Sequence, residues 1–456
     1  MEKKDTAKTF SNTTIDNISF IFQNIRKLYL KKGIRDRAHT YTKPLSTDES
    51  NAIQLFLLNI EWERVTKDVP FYAKLAKENK LEKGFQSFED FITKVSPTNR
   101  LTVKTNIAEM KSQSKAPDFM RITGGSTAEP IQMPAWREEA KFTSYDMWLA
   151  RSWYGISPAS KLFMIWGHSH LLGSGFSGVV NKYKRMLYDY ILGYRRFSAY
   201  DLKDDAMREA GDFMLKFRPD YVIGYSVALD RFVKVNMERK NAFRNLRLKA
   251  VIAAAEAFPF PDSRDLLKDF FNCPVGMEYG SVETALIAHT HPEGGYKVFW
   301  QSYFVEAERN KLGAGYIIRV TSLYPRCFPL IRYEIGDEIV LHNTSQERLF
   351  GVTEFDNVLG RCNDYVELKD SSLIHSEAFT HAIRWCPEVV AYQVVQDKER
   401  ICLNYIAKDT LSRATKEMIL SKLKKVHPLL GEVEFVKVNE LKRTIAGKTP
   451  MILRYK

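Results

Sequence analysis

Ala250-Val251-Ile252-Ala253-Ala254-Ala255-Glu256-Ala257-Phe258-Pro259 is a short run of small and β-branched apolar residues that stops on an acid, an aromatic ring and a proline. A run of this length closed by proline predicts a strand buried on both faces. Runs of the same kind recur at residues 162–166, 221–223 and 275–277, with helical patterns at 201–217 and 228–241 between them. Strands alternating with helices predict an α/β layer around a largely parallel sheet. Working outward, residues 1–115 carry amphipathic helical stretches around 18–28, 52–65 and 88–95, which predict a helical cap. Beyond residue 295 the pattern changes to alternating strands at 316–320, 338–341 and 353–355, ending at Gly360-Arg361. The last hundred or so residues predict a compact α+β unit with strands at 389–395 and 401–407, a helix at 412–426 and a final strand at 433–438. The chain therefore divides into a large unit, 1–359, and a small one, 360–456, with the Gly360 turn as a plausible hinge. No repeat or low-complexity segment interrupts either.

At 456 residues the chain exceeds one ordinary core, and its mixture of 45% hydrophobic and 27% charged residues is that of a folded protein. No apolar run approaches the about 20 residues that span a bilayer. The charged opening, Met1-Glu2-Lys3-Lys4, lacks the apolar core of a signal peptide, so a cytoplasmic location is expected. Five cysteines without a CxxC pair argue for buried thiols, and against a disulfide framework or a zinc site. Lys and Arg together number 68 against 55 for Asp and Glu, a formal net charge of +13. That excess suits any anionic partner, but no dense basic block interleaved with aromatics supports nucleic-acid binding.

The segment with the most chemistry is Thr123-Gly124-Gly125-Ser126-Thr127, preceded by Arg121-Ile122 and followed by Ala128-Glu129-Pro130. Adjacent glycines permit close backbone approach, and N–H groups with two hydroxyls can surround phosphate oxygens. It is neither a Walker A loop nor a dinucleotide fingerprint. Four further segments follow in order: Glu256-Ala257-Phe258-Pro259, Glu278-Tyr279-Gly280-Ser281-Val282-Glu283, Arg332-Tyr333-Glu334-Ile335-Gly336-Asp337, and Gly360-Arg361-Cys362-Asn363-Asp364. Gly447-Lys448 comes near the end. In this order they resemble the adenylate-forming superfamily of acyl-CoA synthetases, nonribosomal-peptide adenylation domains and luciferases. The likeness is strongest to the phenylacetate-CoA ligase branch with its capsule-biosynthesis relatives, and covers residues 115–450.

The resemblance implies a large N-terminal adenylate-forming domain with mixed sheets and a helical cap, and a small mobile C-terminal α+β domain. It implies that a carboxylic acid is activated by MgATP as acyl-AMP, then transferred, with coenzyme A the favoured acceptor and an amine or carrier-protein thiol the alternatives. A non-catalytic nucleotide-binding scaffold is the competing class. By resemblance, Thr123, Gly124, Gly125, Ser126 and Thr127 would hold the β- and γ-phosphates and Glu283 would ligate Mg²⁺. Glu278, Tyr279, Gly280 and Ser281 would bind the nucleotide, with Tyr279 on adenine opposite Glu256, Ala257 and Phe258. Asp337 would accept the ribose hydroxyls, Arg361 would donate beside them, and Lys448 would reach the carboxylate and the α-phosphate. Trp166, His168, His170 and Tyr225 are candidates for the acyl pocket. The chain departs from the family at Ala128 and Glu129 after the phosphate loop, at Asn363 in place of a hinge aspartate, and at Lys369-Asp370 in place of Arg-Gly. A monomer or homodimer is expected.

Overall fold

The computed structural model describes residues 3–42, 45–81, 83–122, 131–166, 175–199, 201–310, 315–341, 344–361, 365–370, 372–383, 386, 388–442 and 449–455. An eight-stranded sheet forms the centre. Its strands Tyr194–Ser198, Leu162–Trp166, Tyr221–Tyr225, Ala250–Ala254 and Val275–Ser281 lie side by side in parallel, and Ala285–Thr290, Tyr296–Val298 and Glu354–Phe355 continue it antiparallel. The apolar runs read as buried strands are these parallel ones, and Ala250–Ala254 is buried at every residue. A parallel strand needs this composition because helices cover both faces.

Helices Asp204–Phe217, Ser226–Val235 and Ser263–Phe271 pack on one face around Phe163, Val222, Phe232 and Phe271. Helix Glu139–Trp153 and the long N-terminal helix Lys3–Thr42 cover the other, around Trp148, Tyr221 and Ile252. Each fully buried phenylalanine contributes about 1.5–3 kcal/mol by leaving water. The five-stranded antiparallel sheet Arg348–Phe350, Tyr303–Arg309, Tyr316–Ser322, Tyr333–Val340, Asn357–Arg361 shares a core with the cap helices. Those helices start where polar side chains satisfy their first N–H groups. Ser46 and Glu49 form a reciprocal capping box for Thr47–Asp68, while Ser87 caps Phe88–Lys94 and Asn99 caps Arg100–Thr105.

Arg361 ends the five-stranded sheet, and the residues from Tyr365 onward build a third core around Phe379, Leu403, Tyr405, Ile419 and Leu423. Phe260 of the large unit packs into it. One expectation is corrected here. The strand expected to be last, seen as Glu434–Lys437, is followed by Ile452–Tyr455, which pairs in parallel with Ala391–Asp397. Four residues next to the chain end carry too short a pattern to be read alone, and the neighbouring strand supplies the stabilisation.

Candidate active site

Trp166, Tyr225 and Glu256 lie at the carboxyl ends of three adjacent parallel strands, the edge where open α/β sheets hold their ligands. The backbone at Ala255 has φ 75°, a left-handed conformation that a Cβ disfavours. The turn carries Glu256, Ala257 and Phe258 off the strand at the end of the sheet. The Glu256 carboxylate accepts from Val227 N at 3.4 Å, and its carbonyl accepts from Ser226 Oγ at 2.8 Å. An anion at the start of helix Ser226–Val235 complements the helix dipole. The Trp166 and Tyr225 rings meet edge-on, 4.9 Å between centroids.

Tyr279 and Asp337, 58 residues apart, are joined directly: the Tyr279 hydroxyl donates to Asp337 Oδ2 at 2.9 Å. Each is delivered by a distorted strand. A ladder irregularity follows Tyr279, and a Cβ on Gly280 would stand 2.0 Å from Ala285 O, so only glycine fits there. Gly336 has φ 82°, and Asp337 pairs in register with Arg361, which is placed by its backbone. Arg332 of the same motif is turned inward. It pairs with Glu306 at 2.7 Å and donates to Ile92 O at 2.6 Å, tying the cap to the sheet that carries Asp337. The Glu278 carboxylate takes a 2.9 Å contact from Arg151 of helix Glu139–Trp153. It thus braces the Tyr279 strand from behind. Opposite Glu278 in the ladder, the buried His289 ring hydrogen-bonds Thr290 O at 2.8 Å, and burial holds its pKa below the usual value, keeping it neutral.

Glu283 follows the strand, half-buried, with its carboxylate 3.3 Å from Arg100 of helix Arg100–Thr105. Its carbonyl accepts from the Arg326 guanidinium, whose side chain is 1% exposed. Arg326 also lies 3.7 Å from Glu139. Glu139 accepts from Trp136 N at 2.9 Å, Cys327 N at 3.0 Å and Arg121 at 2.7 Å. Arg121 stands on strand Phe119–Ile122, which leads into the Gly124-Gly125 segment. A buried chain, Arg121–Glu139–Arg326–Glu283, therefore links the root of that segment to the candidate metal ligand. The sequence reading missed Arg100, Glu139, Arg151 and Arg326, because each finds its partner far along the chain and none forms a local motif. Thr123, Gly124, Gly125, Ser126, Thr127, Glu129, His168, His170, Asn363 and Lys448 lie outside the described residues, as does Cys362. Cys273, Cys327 and Cys386 are buried free thiols, and Cys402 is a partly exposed one.

The arrangement presents an aromatic ring bonded to a carboxylate, an acidic residue with a cationic neighbour, and an aromatic pair at the sheet's carboxyl edge. A structure of 2-hydroxyisobutyryl-CoA ligase in the postadenylation state, in complex with R3-HIB-AMP, superposes with TM-score 0.67 over 90% of this chain and 91% of that one, at 16% identity. The fold is that of the adenylate-forming ligases. The same ligase in its thioesterification state, in complex with 2-HIB-AMP and CoA, gives 0.56 at 17% identity over 90% and 91% of the two chains. The anthranilate CoA ligase AuaEII in complex with anthranoyl-AMP gives 0.51 at 13% identity over 74% of this chain and 67% of that one. By sequence, the chain is 24% identical over 435 residues to Protein CapK of Staphylococcus aureus, covering 91% of each. No family model matches the chain. The likeness to adenylate-forming ligases and capsule-biosynthesis relatives read from the motifs is borne out. No described helix is long and apolar enough to cross a membrane.

Proposed function

We propose that this protein is an AMP-forming carboxylic acid ligase. It joins a carboxylate to the α-phosphorus of MgATP and then passes the acyl group to an acceptor. The observation that supports the reading is the Tyr279–Asp337 hydrogen bond, which joins an aromatic ring and a carboxylate, and in this reading that carboxylate would accept the ribose hydroxyls. A carboxylate has room for about four acceptor contacts, so the tyrosine hydroxyl leaves sites for both ribose hydroxyls. Adenine would lie between Tyr279 and the turn of Glu256, Ala257 and Phe258. Glu278, Gly280 and Ser281 set the path of that strand. Thr123, Gly124, Gly125, Ser126 and Thr127 would surround the β- and γ-phosphates, and Arg361 would add a donor beside the ribose.

Glu283 fits Mg²⁺, a hard ion held by one or two carboxylates together with substrate phosphates. Bound there with ATP, the ion would neutralise charge on the departing pyrophosphate. The carboxylate oxygen attacks the α-phosphorus, the bond to the β-phosphate bridging oxygen breaks, and pyrophosphate leaves. Lys448, charged and on a long stem, would bring the two anions together. Trp166, His168 and Tyr225 would line the acyl pocket. Thiol attack by coenzyme A on the acyl carbon would then expel AMP, with the small C-terminal domain, 360–456, turning about the Gly360 region. An amine or a carrier-protein thiol is the alternative acceptor for this step only.

The test is acid-dependent exchange of labelled pyrophosphate into ATP, with Mg²⁺, over aryl, short-chain and sugar-derived acids. One class of acid should support exchange, and Lys448→Ala should lower it about a hundredfold, the scale of a lost transition-state contact. Measurable ATP binding without exchange for any acid would replace this reading by that of a nucleotide-binding scaffold.

A further inference from the structure

The N-terminal helix Lys3–Thr42 meets the protein through Leu30 and a set of polar groups, and turns a second apolar stripe outward. The side facing the protein is fastened by polar groups: Ser19 Oγ donates to Tyr190 O and Ile191 O at 3.1 Å, Arg26 donates to the Tyr194 hydroxyl at 2.7 Å, and Arg37 pairs with Asp146 at 3.2 Å. The outward side carries Phe20, Ile21, Phe22, Ile25, Leu28 and Tyr29, which are 47–74% exposed. Residues 21, 25, 28 and 29, with 22, fall within one helical face. Where the helix meets the end of helix Gly175–Ile191, that second helix exposes Tyr183, Met186, Leu187 and Tyr188. A patch this apolar on a folded protein marks an interaction surface.

The charges around it select the partner. Lys27, Lys31, Lys32 and Arg35 are exposed on the first helix and Lys184 on the second. No acidic residue occurs between Asp16 and Asp36. Asp36 stands beside Arg35 at the edge, and Asp189 is half of an ion pair with Arg196. A two-fold pairing with a second copy would bring the same basic side chains against each other. An interface of anionic lipid headgroups over acyl chains matches both the cations and the exposed rings, which suit the depth at which tyrosine and lysine anchor interfacial helices. We propose that this two-helix face docks the protein on an anionic phospholipid surface. The proposal is independent of the ligase reading, since the face is separate from the candidate active site.

The experiment is co-sedimentation of the full chain with vesicles of phosphatidylcholine alone and of equimolar phosphatidylcholine and phosphatidylglycerol, at low and high salt. Two double variants are compared: Leu28→Ser with Tyr29→Ser, and Lys31→Glu with Lys32→Glu. All four side chains are exposed, so thermal melts should be unchanged. Binding should require phosphatidylglycerol, weaken with salt, and fall at least about tenfold in each double variant, given what a few juxtamembrane charges contribute. Absence of binding to the mixed vesicles would overturn the proposal, as would binding indifferent to both variants. A dimer in sedimentation velocity that Leu28→Ser with Tyr29→Ser dissolves, without vesicle binding, would reassign the face to a second copy.

Discussion

The two halves of the candidate site are built by different physics. On the proposed nucleotide side, Tyr279 bonds Asp337, Glu278 holds Arg151, and Arg326 reaches the Glu283 carbonyl from a fully buried position. On the proposed acyl side, the contact between Trp166 and Tyr225 is one of ring against ring, which has no fixed donor direction. Hydrogen bonds fix position to tenths of an ångström, whereas aromatic packing fixes volume. The proposed nucleotide half should therefore be the less tolerant of substitution, and the proposed acyl half should change its guest when its rings change.

The largest break is expected at Arg326. Replacing it by Met removes the buried cation beside Glu139 and leaves Glu139 and the Glu283 carbonyl short of a partner. Loss of one member of a buried ionic set costs about 3–5 kcal/mol. Thermal unfolding should show this, and Arg326→Lys should recover part of the stability. With the lysine variant, a raised Mg²⁺ requirement in pyrophosphate exchange at unchanged acid dependence would separate positioning of Glu283 from mere packing.

Asp337→Ala comes next. It removes the proposed ribose acceptor and strands the Tyr279 hydroxyl, so kcat/KM for ATP should fall about a hundredfold, the scale of a lost hydrogen bond to a charged group. Tyr279→Phe should cost far less by itself and almost nothing in the Asp337→Ala background. Additive effects in that cycle would mean the two residues do not act as a unit. On the other half, Trp166→Ala should leave the KM for ATP unchanged and shift preference among acids about tenfold, since one pocket group discriminates by about 1–3 kcal/mol. An ATP defect in that variant would erase the proposed division of labour.

The smallest effect concerns pH. Glu61, buried near Arg64 and Arg326, has its pKa pushed up to about 7, chiefly by burial and against the pull of those cations. The folded state therefore holds a proton that the unfolded chain has released. The associated stability is present below the ordinary carboxylate pKa and is lost as pH rises through about 7. Between roughly pH 6 and 7.5 the wild type should lose about 1 kcal/mol that Glu61→Gln retains. Parallel pH–stability curves for the two proteins would contradict this assignment.

Much of the fold was legible because its signals are local. The buried strands at Leu162–Trp166, Tyr221–Tyr225 and Ala250–Ala254 announce themselves by continuous apolar composition. Tyr279 and Asp337 were legible as motif members, and the structure brings them together. Their hydrogen bond was not, since nothing in either segment encodes a partner 58 residues away. Arg326 shows the limit most plainly. Its segment, Pro325-Arg326-Cys327, belongs to none of the motifs, yet Arg326 is among the largest fully buried side chains, because Glu139 and the Glu283 carbonyl converge on it from distant segments. The N-terminal helix misleads in the opposite sense. Its apolar stripe predicts a buried face, and the structure turns that stripe outward.

The most direct test of the central claim follows the carboxylate oxygen. The acid that best supports pyrophosphate exchange would be labelled with ¹⁸O in its carboxylate and turned over with MgATP and the acceptor, and the nucleotide and phosphate products analysed by mass. Attack on the α-phosphorus predicts one labelled oxygen in AMP and none in pyrophosphate. Label in inorganic phosphate with ADP as the nucleotide product would mean acyl-phosphate chemistry, and would contradict the adenylation account.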